Sequence, residues 1–353
     1  MKIGLVRRGH SATGGAEAYL LRFAAEAQAL GHEPVLITTA EWPEDRWVGG
    51  RIVRLPGATP EEFAASFDRR QTGCDVHLSL ERVPGCEVFR AGDGVHAAWL
   101  KRRQQFEPFW KRMTRWANRK HGQLVQLERE IFDREKTRAV IANSRMVRDE
   151  IIAHFEFPAE RIHVVANGLR PVVGRADRGE ARRKFGIGDE EFCALFVGSG
   201  WDRKGLRTAI EAVEMSENVR LLVAGRGPAD SFRSDAATFV GPVSELAALF
   251  AAADVFVLPT WYDPFSNACL EALAAGLPVI TTRANGFSEI IEAGVHGEIV
   301  EAGDALAIAE AFDAWRRGGR ALAAREACRA KAAEFSIERN ARETIAVLES
   351  ART

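Results

Sequence analysis

No run of eighteen apolar residues occurs anywhere in the 353-residue chain. The longest candidate, LAALFAAADVFVLPTWY, is interrupted by Asp254 and Pro259 and divides into a helix end and a strand. A spanning helix is therefore not expected. The opening MKIGLVRRG reads as a strand stopped by two arginines, too short for the apolar core of a signal peptide, and a cytoplasmic place is expected. Charge of one sign is missing too: 48 Lys and Arg offset 49 Asp and Glu, a formal net charge of −1. That balance excludes a whole-molecule electrostatic binder of nucleic acid, so any basic surface must be local. Cysteine is scarce and scattered. Cys74, Cys86, Cys193, Cys269 and Cys328 include no CxxC and no Cys/His cluster at metal-ligand spacing, which argues against a zinc site or a disulfide framework. Reduced, buried thiols are expected instead. What remains, 46% apolar and 27% charged residues, is the composition of a globular protein long enough for two domains.

Short apolar runs alternate with helical patterns. KIGLV (2–6), EPVLITT (33–39), RIVRLPG (51–57), DVHLSLE (75–81), EVFRAG (87–92), RAVIANS (138–144) and RIHVVANG (161–168) are strand candidates of the first half. AEAYLLRFAAEAQALGH (16–32) and SRMVRDEIIAHF (144–155) carry apolar residues at helical spacing, the first closed by Gly31. Residues 171–191 are polar and punctuated by glycine, which reads as a linker. The pattern then restarts with FCALFVGSG (192–200), VRLLVAGRG (219–227), ATFVGPV (237–243), DVFVLPT (254–260) and LPVITT (277–282). Strands alternating with helices predict two α/β domains with mostly parallel sheets, over residues 1–170 and 171–335. A ligand cleft is expected between the carboxyl ends of the two sheets. The helical residues 336–353 are expected to pack back on the first domain.

Three loops carry the chemistry. Gly14 and Gly15 stand between the first strand and the first helix, where main-chain N–H groups bind anions and glycine admits a ligand close to the backbone. A tight strand-to-helix turn would call for glycine equally well. The pattern is not GxGxxG and no acidic ribose ligand follows, which weakens a dinucleotide reading. GSGWDRKGLRTAIEAV (198–213) also follows a strand and opens a helix, with Arg203 and Lys204 at the loop. It lacks the GK[ST] ending of a Mg-ATP cradle, but a guanidinium and an ammonium beside a helix start suit a diphosphate. Surface basic pairs are common, so this loop does not decide alone. WYDPFSNACLEALAAGLPVI (261–280) places Asp263 and Glu271 on either side of a strand-to-helix turn. An acid near a helix start is also favoured by the helix dipole alone.

Taken together, Gly14-Gly15, the Arg203-Lys204 pair after GSG, and DPFSNACLEALAAGLPVITT resemble a retaining GT-B glycosyltransferase of the family 4 type. Its paired-acid signature is usually Glu-x7-Glu and here reads Asp263-x7-Glu271. VVANGLRP (164–171), FVGPVSELAALFAAADVFVLPTWYDPF (239–265) and GFSEIIEAGVHGEIVEAGD (286–304) extend the resemblance over nearly the whole chain. It implies two Rossmann-like domains, the first binding acceptor and the second a nucleotide-sugar donor. Glu271 would hold the ribose hydroxyls and Asp263 the transferred sugar. The N–H groups of Phe265, Ser266 and Asn267 would meet sugar and phosphate oxygens. Arg203 and Lys204 would neutralise the diphosphate near Gly15, and Gly241 and Val243 would flank the base. The implied reaction is hexosyl transfer without a metal or other cofactor. A paired-carboxylate glycosidase would need its acid and nucleophile about 5 Å apart, a spacing that two acids gripping different parts of a donor do not need. A nucleotide-sugar epimerase, a sugar phosphorylase of the same fold and a non-catalytic nucleotide-sugar binder are the alternatives.

RVPGCEVFRAGDGVHAAWLKRR (82–103) resembles a narrower group, the lipopolysaccharide-core α-glucosyltransferases. This implies UDP-glucose as donor, a lipid-linked glycan as acceptor, and Asp93 and His96 beside the reacting sugars. Asp and His also cap helices and turns. The stretch 96–122 carries Trp99, Lys101, Arg102, Arg103, Trp110, Lys111, Arg112 and Arg115 with one acid, Glu107. A basic, aromatic helical segment in a neutral protein predicts peripheral contact with the anionic inner face of the cytoplasmic membrane. A solvated face over a packed aromatic stripe is the alternative. No nucleic-acid module is present.

Overall fold

The computed structural model describes residues 1–10, 15–107, 119–170, 176–243 and 246–352. Gly14, Trp110, Lys111, Arg112 and Arg115 lie outside them. The chain begins β1 (Lys2–Val6), α1 (Gly15–Ala29), β2 (Glu33–Thr38), β3 (Ile52–Arg54), α2 (Pro60–Ser66), β4 (Val76–Ser79) and β5 (Val88–Ala91). It continues α3 (His96–Arg103), α4 (Arg119–Ile131), β6 (Ala139–Ala142), α5 (Arg145–Phe155) and β7 (Ile162–Val164). Next come α6 (Arg178–Lys184), β8 (Phe192–Val197), α7 (Trp201–Lys204), α8 (Leu206–Glu214), β9 (Val219–Ala224) and β10 (Ala237–Gly241). Then follow α9 (Ala247–Ala252), β11 (Val255–Leu258), α10 (Asn267–Ala274), β12 (Val279–Thr282) and β13 (Gly297–Val300). The last elements are α11 (Ala305–Arg316), α12 (Arg320–Ala323), α13 (Arg325–Ala333) and α14 (Ile337–Arg352).

Two compact units result: Met1–Gly168 together with Ile337–Thr353, and Leu169–Ser336. The first holds a seven-stranded sheet in the order β3-β2-β1-β4-β5-β6-β7, the second a six-stranded sheet in the order β10-β9-β8-β11-β12-β13. Neighbouring strands run parallel, as in Gly4 opposite both Val35 and His77. Parallel strands covered on both faces read as unbroken apolar runs, and FCALFV and VFVL are of that kind. The order reverses between β1 and β4 in the first sheet and between β8 and β11 in the second. Those reversals open crevices at the carboxyl ends of the strands.

The helix α14 completes the first unit. Ile337, Ala341, Ile345 and Leu348 form a buried stripe at helical spacing and share a core with Tyr19, Leu20 and Phe23 of α1. The Tyr19 hydroxyl donates to Asn340 Oδ1 at 3.0 Å, and Asn340 Nδ2 donates to the Ala166 carbonyl at 2.7 Å. Beside them the Arg90 guanidinium lies 3.8 Å over the Tyr19 ring.

Two sequence expectations need correction. Residues 171–191 are not wholly a linker, because α6 forms within them, capped by Asp177, whose Oδ1 accepts from the Glu180 N–H at 2.7 Å. Its Arg178 and buried Arg182 reach Asp254 at 2.6 and 3.3 Å, and Asp254 also accepts from the Cys193 N–H at 2.8 Å. The polar composition belongs to an anchored ion cluster. The second sheet also has a strand beyond the five expected, β13, whose GEIV carries an acid mid-run and which lies at the sheet edge beside β12. All five cysteines are unpaired, and burial pushes the Cys269 thiol up to about 12.

Candidate active site

At the reversal of the second sheet, β8 ends in the turn Gly198–Gly200. Trp201 fixes this turn from below: its Nε1 donates to the Gly198 carbonyl at 2.9 Å, and its ring packs on Phe232 and Phe239. Gly225, at φ +129°, comes so close that a Cβ there would stand 1.9 Å from the Gly198 carbonyl oxygen. Arg203 and Lys204 end the short helix α7, and Gly205 at φ +77° then turns the chain into α8. The basic pair therefore closes one short helix just before the next begins, where the sequence suggested a loop opening a single helix.

The loop after β11 docks onto these residues. The Arg203 carbonyl accepts from the Trp261 N–H at 2.9 Å and from Thr260 Oγ1 at 3.0 Å. The Arg203 guanidinium donates to the Tyr262 carbonyl at 2.7 Å and stands 3.9 Å from Asp263 Oδ2. Lys204 Nζ makes a direct ion pair with the same Oδ2, both side chains being largely buried. The Asp263 main chain is clamped on both sides: its N–H donates to Ala284 at 3.0 Å and its carbonyl accepts from Gly286 at 2.9 Å. Lys204 and Asp263 thus meet at the carboxyl ends of β8 and β11, where the strand order reverses.

Beyond Asp263, Phe265 is buried edge-on against Phe287, with centroids 5.9 Å apart. Ser266 caps α10, its Oγ accepting from the Cys269 N–H at 3.4 Å. The Ser266 N–H, which the resemblance places near sugar and phosphate oxygens, donates to Oδ1 of Asn285 at 3.2 Å. Asn267 opens α10. Glu271, half-buried, lies past the first turn of that helix, which holds no acid, so the dipole alone does not account for it. Gly241 ends β10 at φ +72° with its carbonyl accepting from the Gly225 N–H at 2.9 Å, and Val243 is exposed just after it.

In the first unit, Gly15 is the first residue of α1. Arg7, at the end of β1, donates to Glu17 of α1 at 3.0 Å and to the Leu80 carbonyl at 3.2 Å. Asp93 is exposed in the turn after β5, and His96 is the first residue of α3. No side chain of its own segment caps that helix. Instead Glu128 of α4, almost fully buried, accepts from the N–H groups of His96 at 2.6 Å and Ala97 at 3.2 Å. Glu128 is held in turn by Arg82 at 2.9 Å. His96 Nε2 is 3.0 Å from His121 Nδ1. Burial first, then the charges of Arg82, His121 and Arg103, push His96 down to about 4, so it is a neutral imidazole at pH 7.

The basic stretch is less free than its sequence suggests. Arg102 pairs with Glu150 of α5 at 2.8 Å and Arg103 with Glu107, so two of the charges expected at a lipid surface have acidic partners in this chain. Trp99 is half-buried and packs on Phe106 at 5.7 Å, while Lys101 is exposed. Among the described residues no helix is long and apolar enough to cross a membrane.

The glycosyl transferases group 1 family model matches residues 191–315, the stretch that carries Arg203, Lys204, Asp263 and Glu271. The glycosyltransferase family 4 model matches residues 89–171, which include Asp93 and His96. The chain is a GT-B glycosyltransferase. An uncharacterised glycosyltransferase of Methanocaldococcus jannaschii is 32% identical to it over 177 residues, 45% of either chain. The lipopolysaccharide glucosyltransferase WaaG of Escherichia coli is 26% identical over 306 residues, 79% of each chain. The crystal structure of a WaaG glycosyltransferase of lipopolysaccharide biosynthesis shares the fold at a TM-score of 0.79 and 21% identity, over 98% of this chain and 99% of that one. Anabaena HepE in complex with UDP-glucose shares it at a TM-score of 0.76 and 17% identity, over 99% and 100% of the two chains.

Some functional candidates of this glycosyltransferase escaped the sequence reading. Asn285 and Glu128 touch loops far from them in the chain, and neither belongs to a local motif that would single it out.

Proposed function

We propose that this glycosyltransferase moves a hexose, glucose first, from a UDP-type nucleotide sugar to a lipid-linked glycan of the lipopolysaccharide-core kind, with retention of anomeric configuration. The observation that carries the donor side is the meeting of Lys204, Arg203 and Asp263 at the strand-order reversal of the second sheet. In such a reaction the bond from C1 to the β-phosphate oxygen breaks while a bond from C1 to the acceptor oxygen forms. The acceptor proton passes to the departing phosphate, and the nucleoside diphosphate leaves. Negative charge grows on that phosphate, and a preorganised ammonium lowers the barrier where it meets the charge. Asp263 then orients sugar hydroxyls and Glu271 the ribose, with the base near Gly241 and Val243. No metal ligand is required by this scheme.

The acceptor side rests on Asp93 and His96, whose neutral imidazole is fit to accept a hydrogen bond from a hydroxyl. The similarity to the lipopolysaccharide glucosyltransferase WaaG favours the same acceptor class. Peripheral contact with the inner face of the cytoplasmic membrane is proposed with it, on the exposure of Lys101 in a basic, aromatic segment. A thermal-shift screen against UDP-, GDP- and ADP-sugars, followed by transfer assays on core glycolipid, tests the reading, since a true donor stabilises the fold by mass action. Absence of stabilisation by every nucleotide sugar would overturn it.

A further inference from the structure

Without a donor, Lys204 already has a counter-ion. Among the described residues Asp263 is its one side-chain partner, and the two side chains are 13% and 9% exposed. A buried ammonium does not give up its carboxylate unless another anion takes the place. Arg203 does not replace Lys204 as the contact, because its guanidinium is held by the Tyr262 carbonyl and stands 3.9 Å from the same Asp263 oxygen. Nor does the Asp263 backbone move easily, tied as it is to Ala284 and Gly286. What is left to move is the side chain alone, a carboxylate on a single methylene.

We propose that Asp263 occupies, at Lys204, the place of the donor's β-phosphate, and that the phosphate displaces it by counter-ion exchange. The displaced carboxylate is then delivered to the sugar hydroxyls. This rests on the donor-site reading above and adds an order to it: phosphate binding releases the residue that reads the sugar. A nucleoside diphosphate without a sugar breaks the internal pair and offers Asp263 nothing in return. A nucleotide sugar offers it hydroxyls. The site therefore discriminates against its own product and favours product release.

The test is calorimetric titration with UDP, GDP and ADP, then with UDP-glucose, on the full chain. Asp263→Asn removes the competing charge and should bind the nucleoside diphosphate about tenfold more tightly than wild type. The preference for UDP-glucose over UDP should shrink in the same variant. Lys204→Ala should bind UDP weakly, and in the double variant the gain from Asp263→Asn should vanish, the mark of a direct coupling. Glu310→Gln, an exposed acid on α11, should leave affinity unchanged and so controls for net charge. Asp263→Ser serves as a second neutral variant should the Asn protein fold poorly. On the wild-type protein, carboxylate 13C NMR gives an independent reading: UDP must shift one aspartate resonance. UDP affinity equal to or below wild type in the neutral variants, or aspartate resonances that all stay in place, would overturn the exchange while leaving the donor site intact. Failure of the wild type to bind any nucleoside diphosphate would instead remove the donor-site reading itself.

Discussion

The main-chain N–H of Ser266 donates to the side-chain oxygen of Asn285 at 3.2 Å, across nineteen residues of sequence. The same oxygen accepts from the Phe287 N–H at 3.1 Å, and the amide nitrogen donates to Thr281 Oγ1 at 3.0 Å and to Cys269 Sγ at 3.4 Å. One fully buried carboxamide thus ties the loop of Asp263 to the loop after β12. Asn285→Ala leaves two buried N–H groups unpaired and should cost on the order of 2–4 kcal/mol. Urea unfolding measures that loss. Donor KM should rise more than kcat falls, because what loosens is the loop of Asp263, proposed above to hold the donor.

Lys204 and Arg203 should not be equivalent. On the proposed donor site, Lys204→Met removes the ammonium that would meet the leaving phosphate and should lower kcat by about 100- to 1000-fold. Arg203→Met loses a guanidinium already committed to a main-chain carbonyl and should lower it by only about tenfold. Equal effects in steady-state kinetics would contradict the assignment.

Glu128 acts as the cap that α3 lacks. Glu128→Ala takes the carboxylate from half-buried Arg82 and strands two helix N–H groups, and should destabilise the first unit by about 3 kcal/mol. Glu128→Gln keeps an acceptor for the helix but no charge for Arg82, so its thermal midpoint should fall between the other two. A midpoint for the Ala variant within a degree of wild type would remove the capping role.

A pH dependence follows from His77, buried in β4 with its Nδ1 2.8 Å from Glu87 and its Nε2 2.7 Å from Thr72. Burial works to lower its pKa, but hydrogen bonding to Cys74 and Glu87 and the charge of Glu87 outweigh this and raise it from 6.5 to about 9. A folded-state value above the unfolded one means the contribution is complete below pH 6.5 and is lost as pH rises through 9. The stability difference between wild type and Glu87→Gln should therefore shrink over that window, by less than the roughly 3 kcal/mol of the whole shift, since Cys74 also holds the proton. Denaturant midpoints at half-unit pH steps check it.

Legibility in the sequence followed burial. Strands covered on both faces announce themselves, because FCALFV or VFVL has no polar position to confuse the reading. β13 does not, since Glu298 interrupts it and only its pairing with β12 defines it. The helix α6 is hidden for a different reason: its arginines look solvated until Asp254, far along the chain, is brought beneath them. The same distinction holds at the site. The residue types of Lys204, Asp263 and Glu271 and the loops that carry them could be read directly. That Lys204 and Asp263 pair with each other, that Ser266 spends its N–H on Asn285, and that Arg102 is met by Glu150 are consequences of long-range packing, which no local pattern encodes.

The helix α14 sets an order of events for the chain as it is made. Residues 169–336 leave the ribosome in one continuous piece and can close their own core at once. The first unit must wait, since Tyr19 meets Asn340 only after 321 further residues have been added. Its sheet spends that interval with the α14 face of α1 uncovered, a long-range closure that is slow by nature and leaves apolar surface exposed in the meantime. Nascent chains stalled short of residue 337 should therefore draw chaperones to their amino-terminal half, although that half was synthesised first.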